Sequence, residues 1–162
     1  MIAHATSRAC RAGRASCTRN KRAPRSSDAT FAHATYGDEP LKEVLAELRL
    51  CIEVAERGGV DRDRIVVDPG IGFAKRGWQS LAVLGQLERV VELGYPVLIG
   101  VSRKRFIGEI SGTPNPADRL PGTIAANVTS LERGARLFRV HDARPARQAL
   151  DVAWAIMQHG MQ

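Results

Sequence analysis

The chain has 162 residues, of which 44% are hydrophobic, and this length and composition suffice for one domain with a buried core. The formal net charge of +7 comes from the amino-terminal segment: residues 1–27 hold seven basic residues and no acidic one, which leaves 17 basic and 17 acidic residues in 28–162. A neutral body offers no basic surface to a phosphate backbone, so the composition argues against a nucleic-acid-binding protein.

The first 38 residues show neither helical nor strand periodicity and are rich in Ala, Arg, Ser and Thr. Such a composition cannot bury enough apolar area to offset the entropy of ordering, so we expect this leader to lack regular structure. An Arg- and Ser-rich leader is also typical of an organelle transit peptide, but we favour a solvated tail or an out-of-frame stretch. The chain therefore divides into a leader, 1–38, and a body, 39–162.

From Glu39 onward the pattern predicts alternating helices and strands. Apolar residues at helical spacing begin at Leu41, and Gly58-Gly59 ends that helix. The later predicted elements are a strand at 65–67, a helix at 78–93, a strand at 96–99, a helix at 117–133 with a kink or restart at Pro121-Gly122, a strand at 137–140 and a helix at 145–158. Wholly apolar strands that alternate with helices are typical of a parallel sheet buried on both faces.

Each predicted strand ends in polar or charged residues: Asp68, then Ser102 and Lys104, then Arg139 and His141. The carboxyl ends of parallel strands meet at one edge, where ligands bind. Residues two apart on a strand share a face, so Ser102 would lie beside Lys104, and Arg139 beside His141, if each strand continues through them. Alone, each signal has a plain alternative, a turn or a solvated loop. Together they indicate a site for a polar heterocycle that carries a separate anionic group.

Other features limit the classes of site and location. The three cysteines are odd in number and form no CxxC or Cys/His spacing, which argues against a disulfide framework and a zinc site. The sequence has no apolar run of ~18 residues to span a bilayer, and no apolar core of a secretory signal. We therefore expect a cytoplasmic protein without a membrane partner, with organelle import as the alternative if the leader is a transit peptide.

Four segments of the body resemble the carboxyl half of dihydropteroate synthases. They are Asp-Pro-Gly-Ile-Gly-Phe-Ala-Lys (68–75), Gly-Val-Ser-Arg-Lys-Arg-Phe-Ile-Gly (100–108), Leu-Pro-Gly-Thr-Ile-Ala-Ala (120–126) and Arg-Val-His-Asp (139–142). The resemblance covers about residues 41–160 and implies an α/β fold, the TIM (β/α)8 barrel. Because such a barrel takes roughly 250 residues, this chain would hold a partial barrel, its last three strand-helix units plus a preceding helix.

The resemblance implies the reaction of folate biosynthesis in which the nitrogen of 4-aminobenzoate attacks the methylene of 6-hydroxymethyl-7,8-dihydropterin diphosphate and releases diphosphate. It implies that Asp68 and Lys104 bind the pterin, Arg139 and His141 bind the diphosphate, and Phe73 and Ser102 line the aminobenzoate side, with no separate catalytic residue. The chemistry agrees, since a carboxylate can accept two N–H bonds from an aminopyrimidine edge and a guanidinium suits phosphate oxygens.

The resemblance also implies Mg²⁺ and a homodimer through the later helices. The family's magnesium-linked Asn near its first strand, and its pterin-binding Asp and Asn on middle strands, are absent from this sequence, and no metal ligand is identifiable in it. Two alternatives stay open. One is a pterin-binding methyltransferase-type domain, which we disfavour because a methyl donor lacks a diphosphate leaving group. The other is a non-catalytic remnant of a broken gene.

Overall fold

The computed structural model describes the backbone of residues 3–6 and the whole of residues 36–160. Within residues 36–160 one or two helices separate each strand from the next, in agreement with the helix and strand order that the sequence predicts. The elements are β1 (Ala3–Thr6), α1 (Pro40–Arg57), β2 (Ile65–Asp68), α2 (Gly77–Gly85), α3 (Glu88–Val91), β3 (Leu98–Ile99), α4 (Arg105–Ser111), α5 (Leu120–Glu132), β4 (Leu137–Phe138) and α6 (Ala143–His159). Short 3-10 turns at Arg62–Arg64 and Pro116–Asp118 precede β2 and α5.

The strands lie parallel and in sequence order, which is the arrangement of neighbouring strands in a (β/α)8 barrel. β1 pairs with β2 and β3 pairs with β4, while a parallel bridge between Val67 and Val97 joins the two pairs. The Val67 N–H donates to the Pro96 carbonyl at 2.9 Å across this junction. The predicted fold class, a partial barrel, is therefore confirmed.

β1 corrects the prediction for the leader, which expected no strand in 1–38. Ala3–Thr6 pairs in parallel register with Ile65–Asp68, so the described residues contain four strands where the sequence predicted three. These four small and polar residues carry little hydrophobic pattern, so the local sequence does not predict a strand. The strand depends instead on pairing with the apolar β2. Residues 1–2 and 7–35 of the leader lie outside the described residues, and the boundary at residue 38 stays a prediction.

Glycines follow the ends of helices α1 and α5, where the sequence predicts that these helices stop. Gly59 and Gly134 have φ of +82° and +98°, a conformation that glycine adopts without a steric penalty. After α1, the N–H groups of Gly59 and Val60 donate to the carbonyls of Glu56 and Ala55 at 2.9 and 3.1 Å. This is the Schellman motif, and Gly134 forms the same motif after α5.

Two predicted elements differ in the structure. The single helix predicted at 78–93 is two helices, because α2 ends at Gly85 and the backbone at Gln86 leaves the helical region. Glycine has a low helix propensity, which explains a break at this point. The strands predicted at 96–99 and 137–140 are shorter, and neither β3 nor β4 continues into the polar residues that follow it.

The core lies where the sheet packs against the helices. Ile65, Val67, Val97 and Ile99 are fully buried, and helices α1 and α2 contribute further buried apolar residues. Every residue of β2 is buried, as expected for a strand covered on both faces. Leu137 on β4 keeps 39% of its surface exposed, because β4 pairs only with β3 within the described residues. No helix in this part of the chain is long and apolar enough to cross a membrane.

Candidate pterin and anion site

The loop after β2 presents Asp68 and Phe73. Asp68 is 5% exposed, and its Oδ1 accepts a hydrogen bond from the Gly70 N–H at 2.8 Å. Gly70 and Gly72 have positive φ, so this tight loop requires glycine at both positions. The Lys75 ammonium donates to the Gly70 carbonyl at 3.1 Å and thereby ties the end of the loop to its beginning.

Lys104 reaches across from the next strand-helix unit to this loop. Its Nζ lies 3.5 Å from the centroid of the Phe73 ring, which is a cation–π contact. Its aliphatic stem passes over Gly72 so closely that a Cβ there would lie 2.9 Å from Lys104 Cδ. The structure thus brings together a predicted pterin residue, Lys104, and a predicted aminobenzoate residue, Phe73, and it identifies Gly72 as the residue that makes room.

The loop after β3 is a tight turn and not a continued strand. Arg103 has φ of +56°, a left-handed conformation that costs a non-glycine residue roughly 1–2 kcal/mol. Lys104 follows in extended conformation and immediately precedes α4. The expectation that Ser102 and Lys104 share one strand face is therefore wrong, because the chain reverses between them.

Ser102 contacts the end of the neighbouring strand unit instead. Its buried hydroxyl lies 2.9 Å from His141 Nδ1 and accepts the His141 backbone N–H at 3.2 Å. The expected strand through Arg139 and His141 is also wrong, since β4 ends at Phe138. The guanidinium of Arg139 covers Gly100, where a Cβ would lie 3.2 Å from Nη2. Arg139 and His141 are both exposed, so an anionic ligand could reach their side chains.

An ion pair, which sequence analysis missed, joins the same two loops. Arg103 donates to Asp142 through Nε at 3.1 Å and through Nη2 at 2.7 Å, a two-bond pairing that fixes both partners. The hydrogen bond from Arg103 is the main cause that holds the pKa of Asp142 below its usual value, and the same bond raises the pKa of Arg103. Arg103 is therefore neutralised within the protein although it stands between two predicted ligand-binding residues.

The described residues place all six predicted side chains on the carboxyl-terminal side of β2, β3 and β4. Phe73 contacts Lys104, Ser102 contacts His141, and Asp68 is bonded to its own loop. The arrangement offers one cation beside an aromatic ring and, one strand further along, a guanidinium and an imidazole. Within residues 36–160 no three His, Cys, Asp or Glu side chains gather in a way that could hold a metal ion.

Comparison with known proteins gives one consistent family. Residues 9–141 match the family described as pterin binding enzyme. The dihydropteroate synthase of Bacillus subtilis is 39% identical over 120 residues, which are 74% of this chain and 42% of that protein. The chain thus spans less than half the length of that relative.

Solved structures agree. The Xanthomonas albilineans dihydropteroate synthase in complex with 7,8-dihydropteroate has a TM-score of 0.75 and 42% identity, over 76% of this chain and 47% of that one. The Thermus thermophilus enzyme in complex with 6HMPPP has a TM-score of 0.76 and 42% identity, over 81% of this chain and 51% of that one. The same enzyme in complex with 4-aminobenzoate gives the same TM-score and identity. On its sequence and its fold, the chain belongs to the family of pterin binding enzymes.

Proposed function

We propose that this chain carries the carboxyl-half portion of a dihydropteroate synthase site, in which the 4-aminobenzoate nitrogen displaces diphosphate from 6-hydroxymethyl-7,8-dihydropterin diphosphate. The observation that carries the proposal is the pairing of two cationic groups at adjacent strand ends, Lys104 over Phe73 and Arg139 over Gly100. A substrate with a flat heterocycle and a diphosphate suits this combination of cationic groups. The relatives named above are dihydropteroate synthases, and this similarity does not favour the methyltransferase alternative.

The pterin would lie between Asp68 and Lys104. The carboxylate of Asp68 has one oxygen bonded to the Gly70 N–H, which leaves acceptor capacity for the N–H groups of an aminopyrimidine edge. The ammonium of Lys104 has three donors, and its place above the Phe73 ring directs it toward the loop that presents Asp68. Because Asp68 is buried, a ligand that left its carboxylate without hydrogen bonds would bind at a cost in free energy, and this cost strengthens the recognition.

The diphosphate would bind at Arg139 and His141. A planar guanidinium donates two parallel bonds to phosphate oxygens, and the bond between His141 Nδ1 and the Ser102 hydroxyl orients the imidazole so that its other nitrogen can face the ligand. As the C–O bond to the methylene breaks, negative charge grows on the leaving diphosphate. Fixed positive groups at that position stabilise the transition state more than the ground state.

The amine needs no general base for its attack, because an arylamine is already neutral at pH 7. The new N–C bond forms as the C–O bond breaks, and the amine then loses a proton to solvent or to the released diphosphate. Phe73 and Ser102 would line the path of the aminobenzoate. Since Ser102 contacts His141, its hydroxyl would lie where the aminobenzoate side meets the diphosphate side. The protein's contribution is therefore placement and charge stabilisation.

Magnesium, a homodimer through the later helices and a cytoplasmic location stay predictions. No step of the reaction proposed above depends on Mg²⁺.

The test is a pair of substitutions measured by calorimetric titration. Lys104→Ala should weaken binding of the pterin both with and without its diphosphate. Arg139→Ala should weaken binding of the diphosphate form alone, by roughly ten- to a hundredfold if its charge-assisted bonds are lost. The controls are Lys42→Ala and Arg49→Ala, which remove the same charges from exposed positions on α1.

Equal losses for both ligands in both variants would contradict the assignment of roles. Comparable affinity for the diphosphate pterin and for plain methyl-folate would favour the methyltransferase-type alternative. If the wild-type chain binds neither ligand, the remnant alternative stands.

A further inference from the structure

The segment Leu-Pro-Gly-Thr (120–123) belongs to the sequence pattern of the body, yet the proposed reaction assigns it no ligand. In the structure it begins helix α5, directly behind the loop after β3. We propose that Thr123, together with Arg119, is a positioning residue that holds Arg103 in its left-handed conformation and so places Lys104 for the ligand. This inference rests on the proposed pterin role of Lys104.

Thr123 bonds to the backbone of the strained residue. It is 1% exposed, and its Oγ1 accepts the Arg103 N–H at 3.0 Å. The same hydroxyl donates to the Arg119 carbonyl at 2.8 Å, so its proton is committed and its lone pair is directed at Arg103. A valine at this position would keep the shape and lose both bonds.

Arg119 holds the other side of the same residue. Its guanidinium is buried and donates to three backbone carbonyls, those of Arg103 at 3.0 Å, Thr113 at 2.9 Å and Pro114. The N–H, the carbonyl and the side chain of Arg103 are thus each bonded, to Thr123, to Arg119 and to Asp142. A residue in a sparsely populated conformation persists only where its surroundings determine it in this way.

Two glycines allow this arrangement. A Cβ at Gly108 would lie 2.5 Å from Arg119 Nε, so only glycine leaves space for the buried guanidinium. A Cβ at Gly122 would lie 2.4 Å from Ile107 Cγ2, which shows how closely the start of α5 approaches α4. Both glycines therefore serve the support of the loop and not the ligand directly.

Loss of the support should affect Lys104 first. Lys104 is the next residue along the chain, and its ammonium contacts the Phe73 ring from the present backbone direction. If Arg103 relaxes to an ordinary conformation, the side chain of Lys104 starts from a different direction. Placement errors of about 1 Å are enough to reduce function about a hundredfold.

The experiment compares Thr123→Val, Thr123→Ser and Thr129→Val in the full chain. Thr129 is exposed on the same helix and serves as the matched control. The readouts are amide hydrogen exchange at Arg103 by NMR and the dissociation constant for 6-hydroxymethyl-7,8-dihydropterin diphosphate. Thr123→Val should accelerate Arg103 exchange and weaken binding, each about tenfold, whereas Thr123→Ser should restore both and Thr129→Val should change neither.

Two failures are distinguishable. If the wild-type chain binds the pterin diphosphate and Thr123→Val binds it equally well, the positioning role is wrong while the proposed function stands. If the wild-type chain does not bind it, the proposed function fails and the positioning role fails with it. Should Thr123→Val not fold, Arg119→Lys replaces it, because a lysine cannot reach three carbonyls. Unchanged binding by that variant would equally overturn the inference.

Discussion

Replacing Gly72 by alanine separates the support of the loop from the placement of the ligand cation. Gly72 has φ of +71°, so an alanine there is strained by roughly 1–2 kcal/mol. The added Cβ would also lie 2.9 Å from Lys104 Cδ, closer than such atoms approach. The flexible lysine stem can move aside, and its ammonium would then leave the Phe73 ring.

The magnitudes differ for stability and for binding. We expect Gly72→Ala to lower the free energy of unfolding by about 1–2 kcal/mol, which is the backbone strain alone. Displacement of the ammonium removes charge-assisted hydrogen bonds to the pterin, each worth about 1.5–3 kcal/mol, so the affinity should fall roughly ten- to a hundredfold.

Gly59→Ala is the matched control. Gly59 has φ of +82°, and a Cβ there would meet no atom within 4 Å. This variant should therefore show the same loss in urea denaturation and no change in titration with the pterin diphosphate. Equal affinities for the two variants would refute the reasoning. So would a much larger loss of stability in Gly72→Ala, because the lysine stem would then not be giving way.

Three further predictions follow from the site and the surface. Because the pKa of Asp142 is lowered, its pairing with Arg103 should favour folding above pH ~4, and this contribution should be lost as the pH falls through the lowered pKa. A pKa of Asp142, measured by NMR titration, at or above the usual value for aspartate would contradict this prediction. If the later helices form a homodimer, Ile156→Glu on α6 should shift sedimentation toward the monomer. Ile110→Glu on α4 is the control, since Ile110 is 63% exposed and Ile156 is 67% exposed, and it should cause no shift. Equal shifts for the two variants would exclude α6 as the interface. The purified 162-residue chain should show little or no synthase turnover with Mg²⁺ and both substrates, because the four described strands cannot close a barrel that would hold the proposed ligand-binding residues in place. Turnover typical of a whole synthase would disprove this prediction.

Local patterns predicted the elements that local chemistry determines. The helices α1 and α5 end where Gly59 and Gly134 permit a left-handed turn, a requirement visible in the sequence. Helix α4 was missed because its seven residues contain Gly108, which lowers helix propensity and is needed for packing against Arg119. β1 was missed because four residues without a strong pattern acquire strand structure only through pairing with β2.

The candidate site shows the same division. The chemical types at the strand ends could be read from the sequence, since Asp68, Lys104, Arg139 and His141 follow apolar runs at regular spacing. Their partners could not. The Ser102–His141 and Arg103–Asp142 contacts each join residues 39 positions apart, and only the pairing of β3 with β4 brings them together. The assumption that the strands continue failed because the chain turns at Arg103.

The central claim is that the carboxyl ends of β2, β3 and β4 form a pterin diphosphate site, and amide chemical-shift mapping of the full chain tests it most directly. On titration with 6-hydroxymethyl-7,8-dihydropterin diphosphate, saturable shifts should concentrate in 68–75, 100–105 and 139–142. Inorganic diphosphate alone should shift the last of these segments and leave the first unchanged. Shifts confined to the surface of α6 or to the opposite ends of the strands, or no saturable shift at all, would contradict the claim.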